Sequence, residues 1–514
     1  MKVGNFDMVA KKKKEGSRKG REEEKRRVRK EKSEEREELW GRPCRTCWLP
    51  IISHPSSLVL LPSRSTHTDH AMKRVSILLL LLVGVAPLLH AQPPNLLQSG
   101  PMVGYSEMTE VMLWAQTTAE ATVQFRYWAA ETPSQKFLTK EVRTASQQAF
   151  TAHIVAEGLL PGTRYQYELL VNGVAVERPY PLEFQTQKLW QWREDPPPFT
   201  LALGSCAYVN EPPFDRPGEP YGGEYQIYTS IHRLRPDVML WLGDNTYLRE
   251  ADWGSRSGIL HRYTHTRSLP ELQPLLASTH NYAIWDDHDF GPNDSDRGFR
   301  QKENTLDAFK LFWANPSYGT RDIPGICTSF KWGDVDFFLL DNRWNRSPNL
   351  RTTGERQILG DQQIQWLVDQ LAASQAPFKI VAIGGQVLNP VAKWENHATF
   401  PEERQKLIDA LTQEKIEGVI FLSGDRHHSE LSKMNRPGLW PLYDLTVSPL
   451  TSRAHNNPEE ANTMRVEGTY VGQRNFATLS FSGPRSNRAM KIAMFDSEGK
   501  ELWTQTIMAK ELSK

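Results

Sequence analysis

Cysteine is scarce in this sequence, which contains 4 among 514 residues. Cys44 and Cys47 form a C-x-x-C pair near the start, whereas Cys206 and Cys327 are far apart in the remainder. A disulfide scaffold is therefore excluded for the main part of the chain. Because no second pair lies near Cys44 and Cys47, they are only a weak signal for a zinc or redox site.

The chain also has almost no net charge. Its 62 Lys and Arg residues offset 61 Asp and Glu residues, which leaves a formal charge of +1 at pH 7. This balance does not indicate a polyelectrolyte role such as nucleic-acid wrapping, and we expect no nucleic-acid-binding module. A nearly unbroken run of Lys, Arg and Glu over residues 11–38 cannot bury a core. We expect residues 1–71 to be a disordered, charged leader or the product of an over-extended start.

A long apolar run is missing as well, since the Leu-rich block over residues 77–83 is too short for a comfortable membrane span. The block follows a basic tripeptide that begins at Met72, and it precedes the small residue Ala91. This order is typical of a secretory signal peptide. We predict a natural start at Met72, a signal peptide over residues 72–91 and export to the periplasm or the medium, with no stable membrane span. A retained signal anchor is the alternative.

Residues 95–190 consist of short alternating apolar runs separated by turn residues. The alternation at Val111 and Leu113 predicts a strand, and residues 122–127 repeat it. Tyr165 follows a Pro-Gly turn, which is the position of the tyrosine corner in immunoglobulin-like and fibronectin-like sandwiches. No cluster of titratable residues lies in this segment. We therefore predict a small all-β sandwich domain that packs against the rest of the chain or serves as a lid.

Residues 197–514 change to apolar strands that alternate with amphipathic helices. Helices are predicted to begin at Asp361 and at Pro401. This alternation predicts an α/β catalytic domain, in which functional groups collect where strands end and loops begin. The predicted buried strands cover residues 201–203, 238–242, 283–285, 337–340, 380–383 and 419–422.

Polar side chains follow four of these predicted strands. Crowded carboxylates repel one another and are costly to desolvate, and a multivalent cation relieves both problems. Four such coincidences in one chain predict a shared metal centre. The candidate ligands are Cys206 after the first strand, Asp244 and Tyr247 after the second, Asp287 and Asn293 after the third, and Asp425 and His427 after the last.

The donor types indicate which ions such a centre binds. Carboxylate and phenolate oxygens are hard donors, and a thiolate adds negative charge that favours a trivalent ion over zinc. Neighbouring Asp and Asn oxygens suit calcium or magnesium. Asp244, which follows a central strand, is the candidate bridge between two ions. The second ion is then expected to bind Asn293 and Asp287.

These motifs resemble the alkaline phosphatase D, or PhoD-like, family of metallophosphatases over nearly the whole predicted mature chain. The shared motifs are Gly-Ser-Cys, Gly-Asp-x-x-Tyr, Trp-Asp-Asp-His-acid with an Asn five residues after the His, and Gly-Asp-x-His. The segment that carries Asp341, Arg343 and Arg346 is also similar to a family segment. The early Asp-x-His motif of many metallophosphoesterases is absent, and Gly-Ser-Cys takes its place, as in this family.

The resemblance implies a calcineurin-like sandwich of two sheets flanked by helices, preceded by the smaller all-β sandwich. It also implies a mixed Fe³⁺ and Ca²⁺ centre and the hydrolysis of phosphoesters, and we expect a monomer. By the same resemblance, Asp244 bridges the ions and Asn293 lies on the calcium side. The implied iron ligands are Cys206, Asp244, Tyr247, Asp425 and His427.

The predicted function is an exported phosphoester hydrolase in which a metal-activated water attacks phosphorus. His288 is placed to protonate the leaving oxygen or to hold the phosphate, and support of Asp287 is its alternative role. Arg343 is a candidate phosphate contact, with an ion-pair or surface role as the alternative. A rival function is an exported binding or adhesion protein with structural metals. A hydrolase built on Ser205 or Cys206 is a weaker rival, because Gly-Ser-Cys lacks the second glycine of a nucleophile elbow.

Overall fold

The computed structural model describes residues 96–513. The predicted leader, the predicted signal peptide and the C-x-x-C pair all lie outside these residues. The described residues belong to one compact unit. Among them, no helix is both long and apolar enough to cross a lipid bilayer.

The largest sheet contains nine strands. They are β1 (Leu97–Ser106), β2 (Glu110–Thr117), β6 (Thr151–Glu157), β10 (Phe199–Gly204), β11 (Val238–Leu242), β12 (His280–Ile284), β19 (Asn475–Ser482), β20 (Ala489–Asp496) and β21 (Glu501–Met508). Their order across the sheet is β21-β20-β19-β10-β11-β12-β1-β2-β6. Strands β10, β11 and β12 are parallel neighbours, so their carboxyl ends meet at one edge.

A second sheet of six strands is parallel across its middle. Its strands are β13 (Thr328–Trp332), β14 (Val335–Leu339), β15 (Phe378–Ala382), β16 (Val419–Ser423), β17 (Glu430–Met434) and β18 (Leu442–Thr446). They lie in the order β13-β14-β15-β16-β18-β17. Strands β14, β15, β16 and β18 run parallel to one another.

Seven α-helices lie among the described residues. They are α1 (Gln226–Arg233), α2 (Arg256–Arg267), α3 (Gln273–Ser278), α4 (Asp287–Phe290), α5 (Lys302–Phe312), α6 (Asp361–Ala373) and α7 (Pro401–Gln413). The predicted starts of α6 and α7 are confirmed. Gly360 precedes α6 with a φ of 80°, a left-handed conformation that glycine adopts without strain.

The two sheets and the helices form successive layers because neighbouring side chains of a strand point to opposite faces. In β15, Ile380 belongs to the apolar core that joins the two sheets. Val381, the next residue, belongs to a second core that includes Leu367 of α6 and Leu407 of α7. Strand β16 divides its side chains in the same way. This layering is an α/β sandwich of two sheets.

The remaining N-terminal strands form a third sheet that faces part of the first. Its strands are β3 (Thr122–Ala129), β4 (Phe137–Leu138), β5 (Val142–Arg143), β7 (Arg164–Val171), β8 (Val174–Ala175) and β9 (Glu183–Gln185). Val111 and Leu113 of β2 share an apolar core with Phe125 of β3. The hydroxyl of Tyr165 accepts a hydrogen bond from the backbone N–H of Leu160 at 2.8 Å, as a tyrosine corner requires.

Strand β2 is buried on both faces, although its sequence alternates. Trp114, on the face opposite Leu113, is fully buried, and its indole N–H donates to the carbonyl of Leu311 at 2.8 Å. Its ring lies 6.0 Å from that of Phe312. The second face of β2 therefore packs against α5.

The strand predicted over residues 283–285 lies earlier in the chain than expected. Strand β12 begins at His280 and ends at Ile284.

Candidate metal centre

Four predicted ligands follow strand ends in an unusual backbone conformation. The φ angles are 60° at Cys206, 52° at Asp244, 64° at Asp425 and 55° at His427. A residue other than glycine held in this region costs on the order of 1–3 kcal/mol, and such residues cluster at functional sites. Tight turns at the strand ends therefore orient these side chains at the cost of local strain.

Cys206, Asp244 and His427 form the first group of ligand atoms, which all lie within 4.8 Å of one another. The sulfur of Cys206 is 3.6 Å from Oδ2 of Asp244. The hydroxyl of Tyr247 is 3.3 Å from Nε2 of His427. All four side chains are buried. The structure thus brings together four of the five ligands that the resemblance implies for iron.

The hydrogen bond at Nδ1 determines the tautomer of His427. Nδ1 lies 2.6 Å from the carbonyl oxygen of Arg453, which can only accept a hydrogen bond. Nδ1 therefore carries the proton, and the lone pair of Nε2 faces Tyr247 and the first group. Histidine ligands are held in this way when the second ring nitrogen donates to a backbone carbonyl.

Asp244 also belongs to a second group, with Asp287 and His288. Its Oδ1 accepts a hydrogen bond from the backbone N–H of His288 at 3.2 Å. The His288 ring is tilted by 31° to the Tyr247 ring, with their centroids 4.2 Å apart. Asp244 therefore offers oxygens to both groups, as a bridging carboxylate would, and its bridging role stays a prediction.

Further carboxylates extend the cluster beyond Asp287. Oxygens of Asp286, Asp287 and Asp425 lie within 4.8 Å of one another, and so do those of Asp287, Asp294 and Glu395. Sequence reasoning missed Glu395, which follows no buried strand and enters through a loop. The one local signal is the neighbouring tryptophan, but nothing in the sequence relates that loop to the cluster.

Arg343 lies behind these carboxylates. Its side chain is 1% exposed, and Nη1 is 2.7 Å from Oε2 of Glu395. The same guanidinium pairs with Asp286 and donates to the carbonyl of Ser295 at 3.1 Å. The structure therefore shows the ion-pair role that the sequence left open, and it excludes a surface role.

Asn293 and Asp289 take different places from the ligands described above. Asn293 is exposed, and its amide donates to Oδ1 of Asp294 at 2.9 Å. Asp289 is fully buried and accepts hydrogen bonds from the backbone N–H groups of Thr246 and Asp286. Asp289 therefore shapes the loop, while Asn293 reaches the cluster only through its neighbour.

Burial and negative charge make the first group hold its protons tightly. Burial, with the charges of Asp244 and Asp425, raises the pKa of the Cys206 thiol well above its ordinary value. Burial and the charge of Asp244 do the same to the pKa of Tyr247. The pKa of Asp244 itself is raised by burial and by the neighbouring carboxylates, Asp287 first among them. A cation offsets this repulsion and displaces the protons.

Burial lowers the pKa of the two histidines instead of raising it. Burial lowers the pKa of His288 to about 4 and that of His427 to about 3, so both are neutral at pH 7. Neutral imidazole is the form that binds metal ions. Burial acts to raise the pKa of Asp287, but at acid pH, where His288 is protonated, the charges of His288 and Arg343 lower it below its ordinary value. Asp287 is therefore ionised at pH 7.

Three buried polar atoms of the cluster have no hydrogen-bond partner. They are Oδ2 of Asp286, Oδ1 of Asp287 and Nδ1 of His288. An unpaired buried polar group is costly, and each such group in a native protein requires an explanation. Unpaired oxygen and nitrogen atoms in an acidic cluster fit bound metal cations. The residues present therefore suit metal ions, and their identities as Fe³⁺ and Ca²⁺ stay predictions.

Two family models match this chain. The model for PhoD-like phosphatases matches residues 201–483, which is more than half of the chain. A model for a domain of unknown function (DUF7800) matches residues 94–189. Alkaline phosphatase D of Bacillus subtilis (strain 168) is 22% identical over 342 residues, which are 56% of this chain and 55% of that protein. The chain thus spans about half the length of this curated relative.

Two solved structures have a similar fold. A structure of PhoD matches with a TM-score of 0.65 at 16% identity, over 80% of this chain and 89% of that one. The structure of a purple acid phosphatase from yellow lupin (Lupinus luteus) seeds matches with a TM-score of 0.58 at 11% identity, over 80% and 74% of the two chains. Both likenesses support a metallophosphatase-like α/β fold. Together with the family match, they confirm the predicted resemblance: the chain belongs to the PhoD-like phosphatase family.

Proposed function

We propose that this protein is an exported, metal-dependent phosphoester hydrolase of the alkaline phosphatase or phosphodiesterase type. The observation that carries the proposal is the convergence of buried ligand atoms from four strand ends, with Asp244 shared between two groups. Membership of the PhoD-like phosphatase family supports it. Unpaired lone pairs fit a structural metal as well as a catalytic one, and it is the family match that favours hydrolysis.

The proposed centre holds Fe³⁺ and Ca²⁺. Cys206, Tyr247 and His427 would hold iron, because thiolate, phenolate and neutral imidazole complement a strongly acidic cation. Asp244 would bridge to the second ion. Asp425 stays a predicted iron ligand, and the carboxylates near Asp287 would supply the oxygen ligands that calcium prefers. Asn293 stays a predicted ligand of that ion.

When bound, such ions lower the pKa of water and neutralise charge on a phosphate during in-line displacement. The chain's own residues orient the substrate and move protons. His288 is neutral at pH 7, and its ring plane is held against Tyr247. It therefore can donate an N–H to a phosphate oxygen or to the leaving oxygen. Arg343 forms ion pairs with Asp286 and Glu395 and so holds these two carboxylates of the cluster in place.

The N-terminal strands and the export signal complete the proposal. Residues 95–190 are proposed to form an all-β sandwich module that packs against the catalytic part, and the separate family match to residues 94–189 supports this boundary. Cleavage after the predicted signal peptide would release a monomer to the periplasm or the medium. N-terminal sequencing of the mature protein tests this, and a first residue well upstream of Met72 would refute it.

Turnover and metal content measured on one sample test the proposed activity. We expect hydrolysis of para-nitrophenyl phosphate, of bis(para-nitrophenyl) phosphate, or of both, with iron and calcium bound. Their relative turnover separates monoesterase from diesterase activity. Treatment with a chelator is expected to abolish hydrolysis while the helical circular-dichroism signal is retained. Unfolding on chelation, with no hydrolysis beforehand, would instead support a binding protein with structural metals.

A further inference from the structure

Tyr221 lies beside the first group of ligands. Its hydroxyl is 3.4 Å from Nδ1 of His427, and its ring centroid is 6.3 Å from that of Tyr247. The ring is half-buried, so one part contacts the site and another part faces solvent. Tyr221 is therefore part of the rim of the proposed metal centre.

Arg216 and Arg453, which we call the arginine pair, both contact this ring. The guanidinium carbon of Arg216 is 5.3 Å from the ring centroid of Tyr221, and that of Arg453 is 5.7 Å from it. Both distances are within the range of cation–π attraction. Both arginine side chains are exposed. Two positive charges are thus held at the rim by one aromatic ring.

Neither charge of the arginine pair is neutralised by the protein. Within residues 96–513, no carboxylate lies within ion-pair distance of either guanidinium. Arg453 donates only to the carbonyl oxygen of Glu219, at 3.4 Å. Other arginines near the site are paired, for example Arg249 with Asp215 at 3.0 Å and Arg262 with Asp252 at 2.7 Å.

Both members of the arginine pair are anchored through the backbone. Asp215, the residue before Arg216, is held by the buried Arg249 and by the hydroxyl of Tyr208 at 2.9 Å. The loop over residues 211–220 also contains four prolines, which restrict its conformations. The carbonyl of Arg453 accepts the hydrogen bond from His427. The backbone that carries the arginine pair is therefore held in place next to the first group of ligands.

We infer that the arginine pair binds a second anionic group of the substrate, next to the phosphate held at the metal centre. The preferred substrates are then phosphoesters that also carry another phosphate or a carboxylate. Guanidinium forks match the geometry of both groups and bind them with charge-assisted hydrogen bonds. This inference rests on the proposed function, because it assumes that the metal centre binds the scissile phosphate.

Binding of inert phosphonates to the metal-loaded enzyme tests this inference by calorimetry. Propylphosphonate carries one anionic group, whereas propylene bisphosphonate and phosphonobutyrate carry a second phosphonate or a carboxylate on a similar spacer. We expect at least one of the two-anion ligands to bind about tenfold more tightly than propylphosphonate, as charge-assisted contacts allow. A preference between these two ligands identifies the second group as phosphate or carboxylate.

Arg216→Ala and Arg453→Ala are each expected to reduce this preference several-fold, and the double variant to remove it. Binding of propylphosphonate should be unchanged in all three variants. Arg485→Ala is the matched control, because Arg485 stacks on Trp190 at 5.5 Å elsewhere on the surface. The control should behave as wild type. Thermal unfolding of each variant establishes that the fold is retained, which is expected for exposed side chains.

Two results would overturn the inference. The first is equal affinity of wild type for all three phosphonates, and the second is an equal loss of affinity for all three in the arginine variants. The second result would mean that the arginine pair acts only as a general positive field. Neither result bears on hydrolysis, which para-nitrophenyl phosphate tests separately. Absence of hydrolysis of both para-nitrophenyl phosphate and bis(para-nitrophenyl) phosphate would contradict the proposed function.

Discussion

At the scale of single residues, the site combines several features that destabilise the metal-free protein, and a bound cation would account for all of them. Cys206, Asp244 and His427 adopt left-handed backbone conformations and converge within 4.8 Å. Their neighbours include buried carboxylate oxygens without partners. Each of these features lowers the stability of the protein without metal. Cation binding is therefore expected to recover stability as well as to supply activity.

Replacement of Asp244 tests its bridging position. Asp244→Asn is expected to reduce turnover of para-nitrophenyl phosphate by more than about 100-fold, since even groups that support metal ligands contribute roughly 10–100-fold. The metal-free variant should unfold at the same temperature as wild type or higher, because one repelled buried carboxylate is removed. Asp409→Asn, on an exposed surface, is the control. Substantial activity in Asp244→Asn would refute the bridging role.

The phenol of Tyr247 is expected to give the iron-loaded protein its colour, because phenolate bound to ferric iron absorbs visible light. Tyr247→Phe should remove this absorption. Tyr208→Phe is the matched control, since the Tyr208 ring lies 5.0 Å from the Tyr247 ring but its hydroxyl bonds to Asp215. Absorption spectra and iron analysis of the same samples show whether the colour depends on Tyr247. A coloured Tyr247→Phe protein would exclude Tyr247 as the iron ligand.

At the scale of elements, the turn after β15 shows why a small residue is needed next to the cluster. A Cβ atom at Gly384 would lie 2.4 Å from Oδ2 of Asp286 and 2.5 Å from Nδ2 of Asn342. Gly384→Ala should therefore displace Asp286, lower the free energy of unfolding by about 1–3 kcal/mol and reduce turnover. Gly254→Ala meets only Arg300 at 3.8 Å and should change neither quantity. Equal behaviour of the two variants in denaturation and turnover assays would contradict this argument.

Helices α6 and α7 are joined by a carboxylate. Glu403 of α7 accepts hydrogen bonds from the backbone N–H groups of Ile358, Leu359 and Gly360, which precede α6. Burial acts to raise the pKa of Glu403, but its contact with His397 and these N–H groups lower it overall. The stabilisation is therefore fully present above the ordinary carboxylate pKa, and it is lost as pH falls through the lowered value.

Glu403→Gln is accordingly expected to lower the free energy of unfolding by about 1.5–3 kcal/mol at neutral pH. The difference between variant and wild type should shrink as the pH is lowered below the ordinary range of glutamate. Urea denaturation at neutral and acidic pH measures both quantities. Glu402→Gln, on an exposed neighbour, should have little effect at either pH. A difference that is independent of pH would show that the charge of Glu403 contributes nothing.

At the scale of the whole molecule, the N-terminal strands are continuous with the catalytic part. Strand β1 pairs with β12 in parallel, which places β1, β2 and β6 in the same nine-stranded sheet as β10, β11 and β12. Trp114 packs against α5, and the hydroxyl of Tyr167 donates to the carbonyl of Ala277 at 2.8 Å. The boundary between the predicted domains thus crosses a sheet.

A chain truncated to begin at residue 197 should therefore be unstable. Removal of β1 leaves the edge of β12 unpaired and exposes the apolar surface that Trp114 covers, which favours aggregation. We expect a lower unfolding temperature and oligomers in size-exclusion chromatography. A chain that begins at residue 92 is the control and should be monomeric. A truncated monomer with unchanged thermal stability would contradict this view.

The sequence by itself determined the layered α/β class and the residues that follow the strands. Strands such as β11 are buried on both faces, so they read as continuous apolar runs, and the polar side chains directly after them stand out. Cys206, Asp244, Asp287 and His427 could be found in this way. Alternation of apolar residues such as Val111 and Leu113 likewise predicted the N-terminal strands, because this pattern depends on only a few neighbouring residues.

Only the tertiary structure decided which groups complete the site. Glu395, Tyr221 and Arg216 enter from loops, and a loop's position depends on packing between residues that are far apart in the chain. The burial of Arg343 and the exposure of Asn293 could not be predicted from the sequence either, because residue type alone does not determine whether a polar side chain is buried. The periodicity of apolar residues shows which face of a strand or helix is buried. Which loops come into contact depends instead on how the sheets and helices pack together.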